Sequence, residues 1–326
     1  MRTWPDVHAD LRARPAEFGR IAAARYPGLP RAAGTSLLTR PEWTPAGPVP
    51  LEAVRLEWEP DPAPPAVADP PDGLPDGHRT YAEARAALDR PAVFEDRPAY
   101  RLLAADLRAG GGVLRFGPGR YFDAVNVGQS AAHELAAGGR AVRDRVGDPR
   151  DLARRPAVLA ISTLAVTASG RCALHWRDPA KVAHAGGLWQ VVPVGVFQPP
   201  SPLDLWSNLV REAGEELLGN PEGEDPVLHA AMTRARDAGR VRVWCLGLGV
   251  DPLTFATDLL TVAVFDDAAF AELFGDLAAT GAAANDEGTV RLVPLGGAAP
   301  GPMQPAGAAV LALARRHRRP LGITPG

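Results

Sequence analysis

Four ionisable side chains fall within six positions at Arg211-Glu212-Ala213-Gly214-Glu215-Glu216, and no other stretch of this 326-residue chain is as well suited to chemistry. At about 100° per residue a helix puts Glu212, Glu215 and Glu216 on one arc, beside an apolar stripe of Leu203, Trp206, Leu209, Val210, Ala213 and Leu217. Arg211 lies one turn before Glu215 and can pair with it, holding its rotamer. Carboxylates gathered this way repel one another. Mg²⁺ or Mn²⁺ removes that penalty, because hard oxygen ligands suit these ions and a helix spaces carboxylates well for one or two of them. Such an ion bridges to phosphate oxygens and lowers the pKa of an attacking water, while a nearby carboxylate takes the proton. The plain alternative is a solvated face with one Arg–Glu pair.

The helix that must position these groups has marked ends. Ser201 reads as its N-cap, Pro202 as the first helical residue, Asp204 as the acid at the third position of a capping box, and Gly219 with Pro221 as the stop, giving a helix over 202–218. A second acidic candidate, Asn285-Asp286-Glu287-Gly288, falls in a loop expected between a helix and a strand at 290–295. From there Glu287 can close over a bound ligand and act as general base. His133-Glu134 lacks the second His of H-E-x-x-H and reads as a helix surface pair, and no other His falls at ligand spacing.

These residues resemble the Nudix box, G-x5-E-x7-R-E-U-x-E-E-x-G-U with U aliphatic. Arg211 to Glu216 fits the central R-E-U-x-E-E without a mismatch, and WQVVPVG at 189–195 is similar to the strand that leads into the box. The resemblance implies an α/β/α sandwich around a mixed sheet, with Glu215 and Glu216 as metal ligands, Glu212 as ligand or base, and Arg211 as their orienting partner. It also implies an Mg²⁺-dependent or Mn²⁺-dependent hydrolase of a nucleoside diphosphate linked to another moiety. The chain departs from the pattern in three places. Gly195 precedes Arg211 by two residues more than the box allows, Leu203 stands at the first Glu position with Asp204 beside it, and Leu218 stands where Gly is expected. These departures motivate an alternative, a non-catalytic Nudix-like module that binds a nucleotide or related metabolite.

The surrounding pattern fits an α/β fold. From residue 157 onward, strands are expected at 157–167 and 171–176 around a Ser169-Gly170 turn, then at 188–196, 241–250, 258–265 and 290–295, with helices at 267–278 and 306–318. Interleaved strands and helices imply a sheet covered on both faces. The first 150 residues read as a smaller α+β region of unassigned role, broken by a Pro-rich loop at 59–77. Helices are expected there near 16–24, 81–89 and 130–137, and strands at 53–58, 113–116 and 121–127 around Gly117-Pro118-Gly119. This region would shape the pocket or a homodimer interface.

A formal charge of −3 and 22% charged residues spread along the chain do not indicate a polyanion partner, so nucleic acid is not expected. Cys172 and Cys245 stand alone, without the spacing to hold zinc, and suit a reducing cytoplasm. The N-terminus lacks an apolar signal segment and no apolar run reaches membrane length, so a cytoplasmic location with a small nucleotide-like ligand is expected. The Ala, Arg, Gly and Pro usage resembles that of a high-GC bacterial genome.

Overall fold

A reciprocal cap starts the first helix: Thr3 Oγ1 accepts the Asp6 N–H at 3.4 Å and the Asp6 carboxylate accepts the Thr3 N–H at 2.9 Å. The computed structural model describes residues 3–68, 74–91, 94–108, 111–181, 186–199 and 203–324. Helices α1 (Trp4–Ala13) and α2 (Pro15–Ala24) precede β1 (Val49–Pro50), β2 (Arg55–Trp58), α3 (Tyr81–Leu88), β3 (Pro98–Asp106) and β4 (Val113–Arg120). A helical run follows, made of α4 (Tyr121–Ala124), a π-helical turn at Val125–Gln129, and α5 (Ser130–Ala136), and α6 (Ala141–Val146) comes after it. Next come β5 (Leu159–Thr167), β6 (Arg171–Arg177), β7 (Trp189–Val191), β8 (Val194–Val196), α7 (Leu205–Leu218) and α8 (Pro226–Asp237). The chain closes with β9 (Val241–Val250), β10 (Thr257–Phe265), α9 (Asp267–Leu273), α10 (Gly275–Thr280), β11 (Ala282–Asn285), β12 (Gly288–Pro294) and α11 (Pro305–Arg316).

The larger sheet runs β1-β9-β10-β5-β6-β12-β11, with β7 on β6 and β8 on β5. It is mixed, because β10 runs parallel to β5 while its pairing with β9 is antiparallel. Alternation along the central strands explains how both faces are covered. Leu159, Ile161, Leu259 and Ala263 point to a core shared with Leu209, Val210, Ala213 and Leu217 of α7. Leu164, Val166, Leu260 and Val262 point the other way, to Ala309, Val310 and Leu313 of α11. The molecule is therefore α/β, with helices on both faces of a mixed sheet. A smaller sheet, β2-β4-β3, packs alongside, and it is tied on by Tyr100 N–H to Phe197 O at 2.9 Å and Leu102 N–H to Ala157 O at 2.8 Å. No helix among the described residues is long and apolar enough to cross a membrane.

Several expectations change on physical grounds. The Gly117-Pro118-Gly119 stretch is not a turn but lies within β4. Strand β2 ends at Trp58 opposite Phe116, so Pro118 is paired only with β3, where its missing N–H removes no ladder bond. Residues 121–127 are helical rather than a strand, because Asp123 accepts the Arg120 N–H at 2.9 Å and starts a helical run that tertiary packing continues. The expected strand at 188–196 is split into β7 and β8, and the helix at 267–278 into α9 and α10. Elements α1, β1, β3, α6, α8 and β11 were not anticipated.

The acidic helix begins later than its sequence suggests. Asp204 is itself the N-cap, accepting the Trp206 and Ser207 N–H groups at 3.1 Å each, so it is not the third residue of a capping box. Ser201 and Pro202 lie outside the described residues. Gly219 closes the helix in the left-handed conformation, as the stop signal indicated. Because Asp204 satisfies two otherwise orphaned donors, Asp204→Ala is expected to lower the unfolding free energy by about 1 kcal/mol. Chemical denaturation would read this, and a negligible change would show that the cap lies elsewhere.

Candidate functional site

Helix α7 lies against β8 and presents its polar arc to that strand and to the β11–β12 turn. Arg211, 6% exposed, organises the arc. Its Nη1 donates to Glu215 Oε1 at 3.1 Å, and its Nη2 donates to Asn208 Oδ1 at 3.2 Å and also to Glu212. Glu215 accepts a further hydrogen bond from the Gly223 N–H at 3.1 Å. Glu216 Oε2 accepts the Val194 N–H at 2.7 Å, a group that β8 can offer because it pairs with β5 on one edge only. Gly195 is required by close approach, since a Cβ there would sit 1.8 Å from the Glu212 carboxyl carbon.

The Glu287 segment is the tip of a β-hairpin, not a loop between a helix and a strand. Asn285 Oδ1 accepts the N–H groups of Glu287 and Gly288 at 3.0 and 2.8 Å, while its Nδ2 donates to the Glu216 backbone oxygen at 3.0 Å. The turn is thereby pinned to α7. Gly288 packs so closely on β6 that a Cβ would lie 1.9 Å from Trp176 O.

Pairing of β12 with β6 sets Arg177 opposite Gly288 and His175 opposite Val290. Arg177 Nη1 reaches Glu287 Oε2 at 2.8 Å and Glu216 Oε1 at 3.8 Å, and His175 Nδ1 lies 3.8 Å from Glu216 Oε1. His175, Glu216 and Glu287 each offer a ligand atom within 4.8 Å of the other two, and among the described residues they form the one such group that could hold a metal ion. Glu212 and Glu215 lie outside that trio, engaged by Arg211. The helical wheel put Glu212, Glu215 and Glu216 on one arc, but their side chains turn to different partners.

Charge burial dominates the electrostatics. Burial pushes the Glu212 carboxyl up to about 7 against the opposing pull of Arg211. Burial raises Glu216 well above the carboxylate range, with the Glu287 charge adding to it and Arg177 opposing it. Burial first and Arg177 second lower His175 to about 4, so its imidazole is neutral at pH 7 and able to donate a lone pair. Its Nε2 is buried without a hydrogen-bond partner among the described residues. A neutral imidazole beside two carboxylates is a donor set that fits a divalent cation.

A cavity of about 620 Å³ opens beside these groups, lined by the acids Glu212, Glu215 and Glu287 and by Arg97, Arg177 and Lys181, of which Arg177 is paired with Glu287 and Arg97 with Glu95 and Glu222. That size suits a small organic ligand. Asp258 also lines it; Ser162 Oγ donates to its Oδ1 at 2.8 Å, and its Oδ2 has no partner among the described residues. Sequence reasoning missed His175, Arg177 and Asp258. The available signal was an ionisable residue inside an otherwise apolar strand. His133, read as a surface residue, is buried against Trp4, with ring centroids 4.5 Å apart, while Glu134 accepts the Ala141 and Val142 N–H groups at 2.6 and 2.9 Å.

No family model and no curated protein matches the chain. Among solved structures, it is similar to a bifunctional NMN adenylyltransferase/ADP ribose pyrophosphatase from Francisella tularensis, complexed with AMP and a Mn ion. The match has a TM-score of 0.31 and 14% identity over 49% of this chain, and it spans 42% of that enzyme's length.

Two measurements probe the geometry. Gly195→Ala must drive Glu212 off its position and is expected to destabilise the protein by about 1–3 kcal/mol, as overpacking does. Adding Glu212→Ala should recover much of that loss, whereas simple additivity of the two changes would refute the contact. Burial raises Asp258 to about 7, so the folded state binds its proton more tightly than the unfolded chain does. Its contribution to stability is therefore present at pH 4 and lost as pH rises towards about 7. Asp258→Asn should become more stable relative to the unmutated protein as pH rises from about 4 to about 8, and melting curves across that range would show a flat difference if this is wrong.

Proposed function

We propose that this chain is a divalent-metal-dependent hydrolase of the Nudix type, acting on a nucleoside diphosphate linked to another moiety, with residues 157–326 as its Nudix-like domain. The observation that carries the reading is the approach of neutral His175, Glu216 and Glu287 to one another, with Glu287 also lining a cavity rich in charge of both signs. The mixed sheet with α7 on one face and α11 on the other supports the sandwich that the Nudix-box resemblance implies. Residues 1–150 supply further walls of the cavity, Arg97, Tyr121 and Val127 among them.

In this reading Glu216, Glu287 and His175 would hold the ion, and Glu215 lines the neighbouring cavity. When bound, the cation neutralises phosphate oxygens and acidifies a water. Arg97, Arg177 and Lys181 take the remaining phosphate charge. Glu212, given room by Gly195 and oriented by Arg211, receives the proton of the attacking water. This moves the general-base role from Glu287 to Glu212 and leaves Glu287 to the metal. The imidazole donor favours Mn²⁺ over Mg²⁺.

One specific observation favours a binding module instead. Arg211 and Arg177 already neutralise Glu212, Glu215, Glu216 and Glu287 in part, so the network holds together through ion pairs alone. The two readings separate in one experiment. Nucleotide sugars, dinucleotides and nucleoside triphosphates are incubated with millimolar Mn²⁺ or Mg²⁺, and phosphomonoester release is followed. A hydrolase releases product from diphosphate-linked substrates, faster with Mn²⁺, and Glu216→Gln lowers turnover by about 10²–10⁴-fold while apo stability holds. Ligand-induced thermal shifts without turnover would favour the binding module. If Mn²⁺ leaves the melting temperature unchanged and no substrate turns over, the metal site is refuted.

A further inference from the structure

The N-terminal helices enclose a second cavity, of about 410 Å³. Its walls include His8 and Arg12 of α1, Gly19 and Arg20 of α2, and Tyr81 and Arg85 of α3. Gln129, Thr254 and Gln304 line this cavity and the acid-lined one alike, so the two are neighbouring lobes separated by those residues.

The divider between the lobes is built from two unusual backbone segments. On one side is the π-helical turn Val125–Gln129, a form that concentrates at functional positions. On the other is the 251–256 loop, where Phe255 holds a left-handed φ of 57°. The two press together at Gly128, where a Cβ would lie 2.0 Å from Thr254 O. Side chains hold the strained loop in place. Asp251 accepts the Leu253 N–H at 2.8 Å and the Thr254 hydroxyl at 3.0 Å, and Arg143 donates to Pro252 O and Leu253 O at 2.5 Å each. Strain of this kind persists only where the surroundings over-determine it, and it gathers at ligand sites.

The second lobe has its own chemistry. Leu11, Leu188, Leu253 and Met303 give it apolar walls, and Arg12, Arg20 and Arg85 give it positive charge. Its lining acid, Asp251, is committed to the loop, and Asp89 pairs with Arg12 and lies 3.7 Å from Arg85 Nη1, so Arg20 and part of the Arg12 and Arg85 charge remain for a ligand. Arg85 is 3% exposed and its Nε has no hydrogen-bond partner among the described residues. One of its Nη atoms donates to His8 Nδ1 at 2.5 Å, which leaves His8 Nε2 as the donor to Tyr81 Oη at 2.6 Å. A buried, fixed guanidinium beside an apolar wall suits a flat group that carries an anionic or carbonyl acceptor.

We propose that this cavity is the subsite for the far end of a two-ended ligand, whose diphosphate lies in the acid-lined lobe and whose second, largely apolar cyclic group passes Gln129, Thr254 and Gln304 to reach Arg85. The inference rests on the hydrolase reading for the placement of the diphosphate, and it assigns the N-terminal helices to recognition of the leaving half. Ligands with a group at each end of the diphosphate fill both lobes, whereas a nucleoside diphosphate fills one.

The test is calorimetric, with Ca²⁺ in place of Mn²⁺ to hold turnover down. NAD⁺ and diadenosine diphosphate are the two-ended probes and ADP the one-ended probe. The protein is expected to bind at least one two-ended probe about tenfold or more tightly than ADP, and that probe should displace ADP. Gly19→Trp places an indole in the second lobe at a position where a Cβ meets nothing within 4 Å. Removing a helix-interior glycine also favours α2. The ratio of two-ended to ADP affinity should fall about tenfold in this variant with its melting temperature maintained. An unchanged ratio in a folded variant overturns the proposal. So does simultaneous, independent binding of ADP and a two-ended probe, or a two-ended probe that binds no tighter than ADP. Because the readout is binding, absence of turnover would count against the hydrolase reading and leave this comparison intact.

Discussion

Burying a carboxylate is costly unless hydrogen bonds or a cation compensate it, and α7 buries two, Glu212 at 8% exposure and Glu216 at 7%. Much of the surrounding structure answers that constraint. Arg211 is held inside the protein to meet Glu212 and Glu215, β8 leaves the Val194 N–H unpaired with any strand to meet Glu216, and Gly195 gives up a side chain to make room. The compensation is incomplete. Both buried carboxyls stay above the ordinary range, and Glu216 still feels the Glu287 charge more strongly than the opposing Arg177. Among the described residues, Glu216 with His175 and Glu287 is the group that could hold a metal ion, and its scaffold is already fixed.

Stability and the placement of the acidic groups thus come from the same helix. The apolar stripe of α7 locks it onto the sheet through Leu209, Val210, Ala213 and Leu217, which fixes where its polar arc can point. The β11–β12 turn is fixed in the same way, because Asn285 hydrogen-bonds both its own turn and the backbone of Glu216. Two acidic elements far apart in sequence are therefore held at one distance by backbone contacts, and their carboxylates have little freedom to separate and relieve their repulsion.

The N-terminal 150 residues turn an acidic helix face into an enclosed cleft. Strand β1 pairs with β9, and Leu102 and Leu114 of the small sheet join the core that α7 packs on. Arg97, Tyr121 and Val127 close one lobe, and α1, α2 and α3 close the other. Enclosure lowers the local dielectric and strengthens each charge interaction inside. The same elements can set both the field at the site and the shape of what reaches it.

The sequence alone determined the features that depend on neighbours a few residues apart. The spacing of Arg211, Glu215 and the apolar stripe, the Gly219 stop, and the turn chemistry that exposes Glu287 all follow from local helix and turn geometry, and the Arg211–Glu215 pair is present as read. Local rules also misled where two patterns competed: Asp204 suits the N-cap as well as the third position, and residues 121–127 alternate like a strand yet continue a helix. Tertiary structure decided what strand pairing decides. His175 and Arg177 reach Glu216 and Glu287 because β6 pairs with β12 across more than a hundred residues of chain, a register no spacing rule within either segment encodes. The contact of the π-helical turn with Thr254 is equally non-local, since it joins Gly128 to a loop from the far half of the chain. Helix faces and turns are set by bonds along the chain, whereas the assembly of a site from separate strands is set by the packing that brings them together.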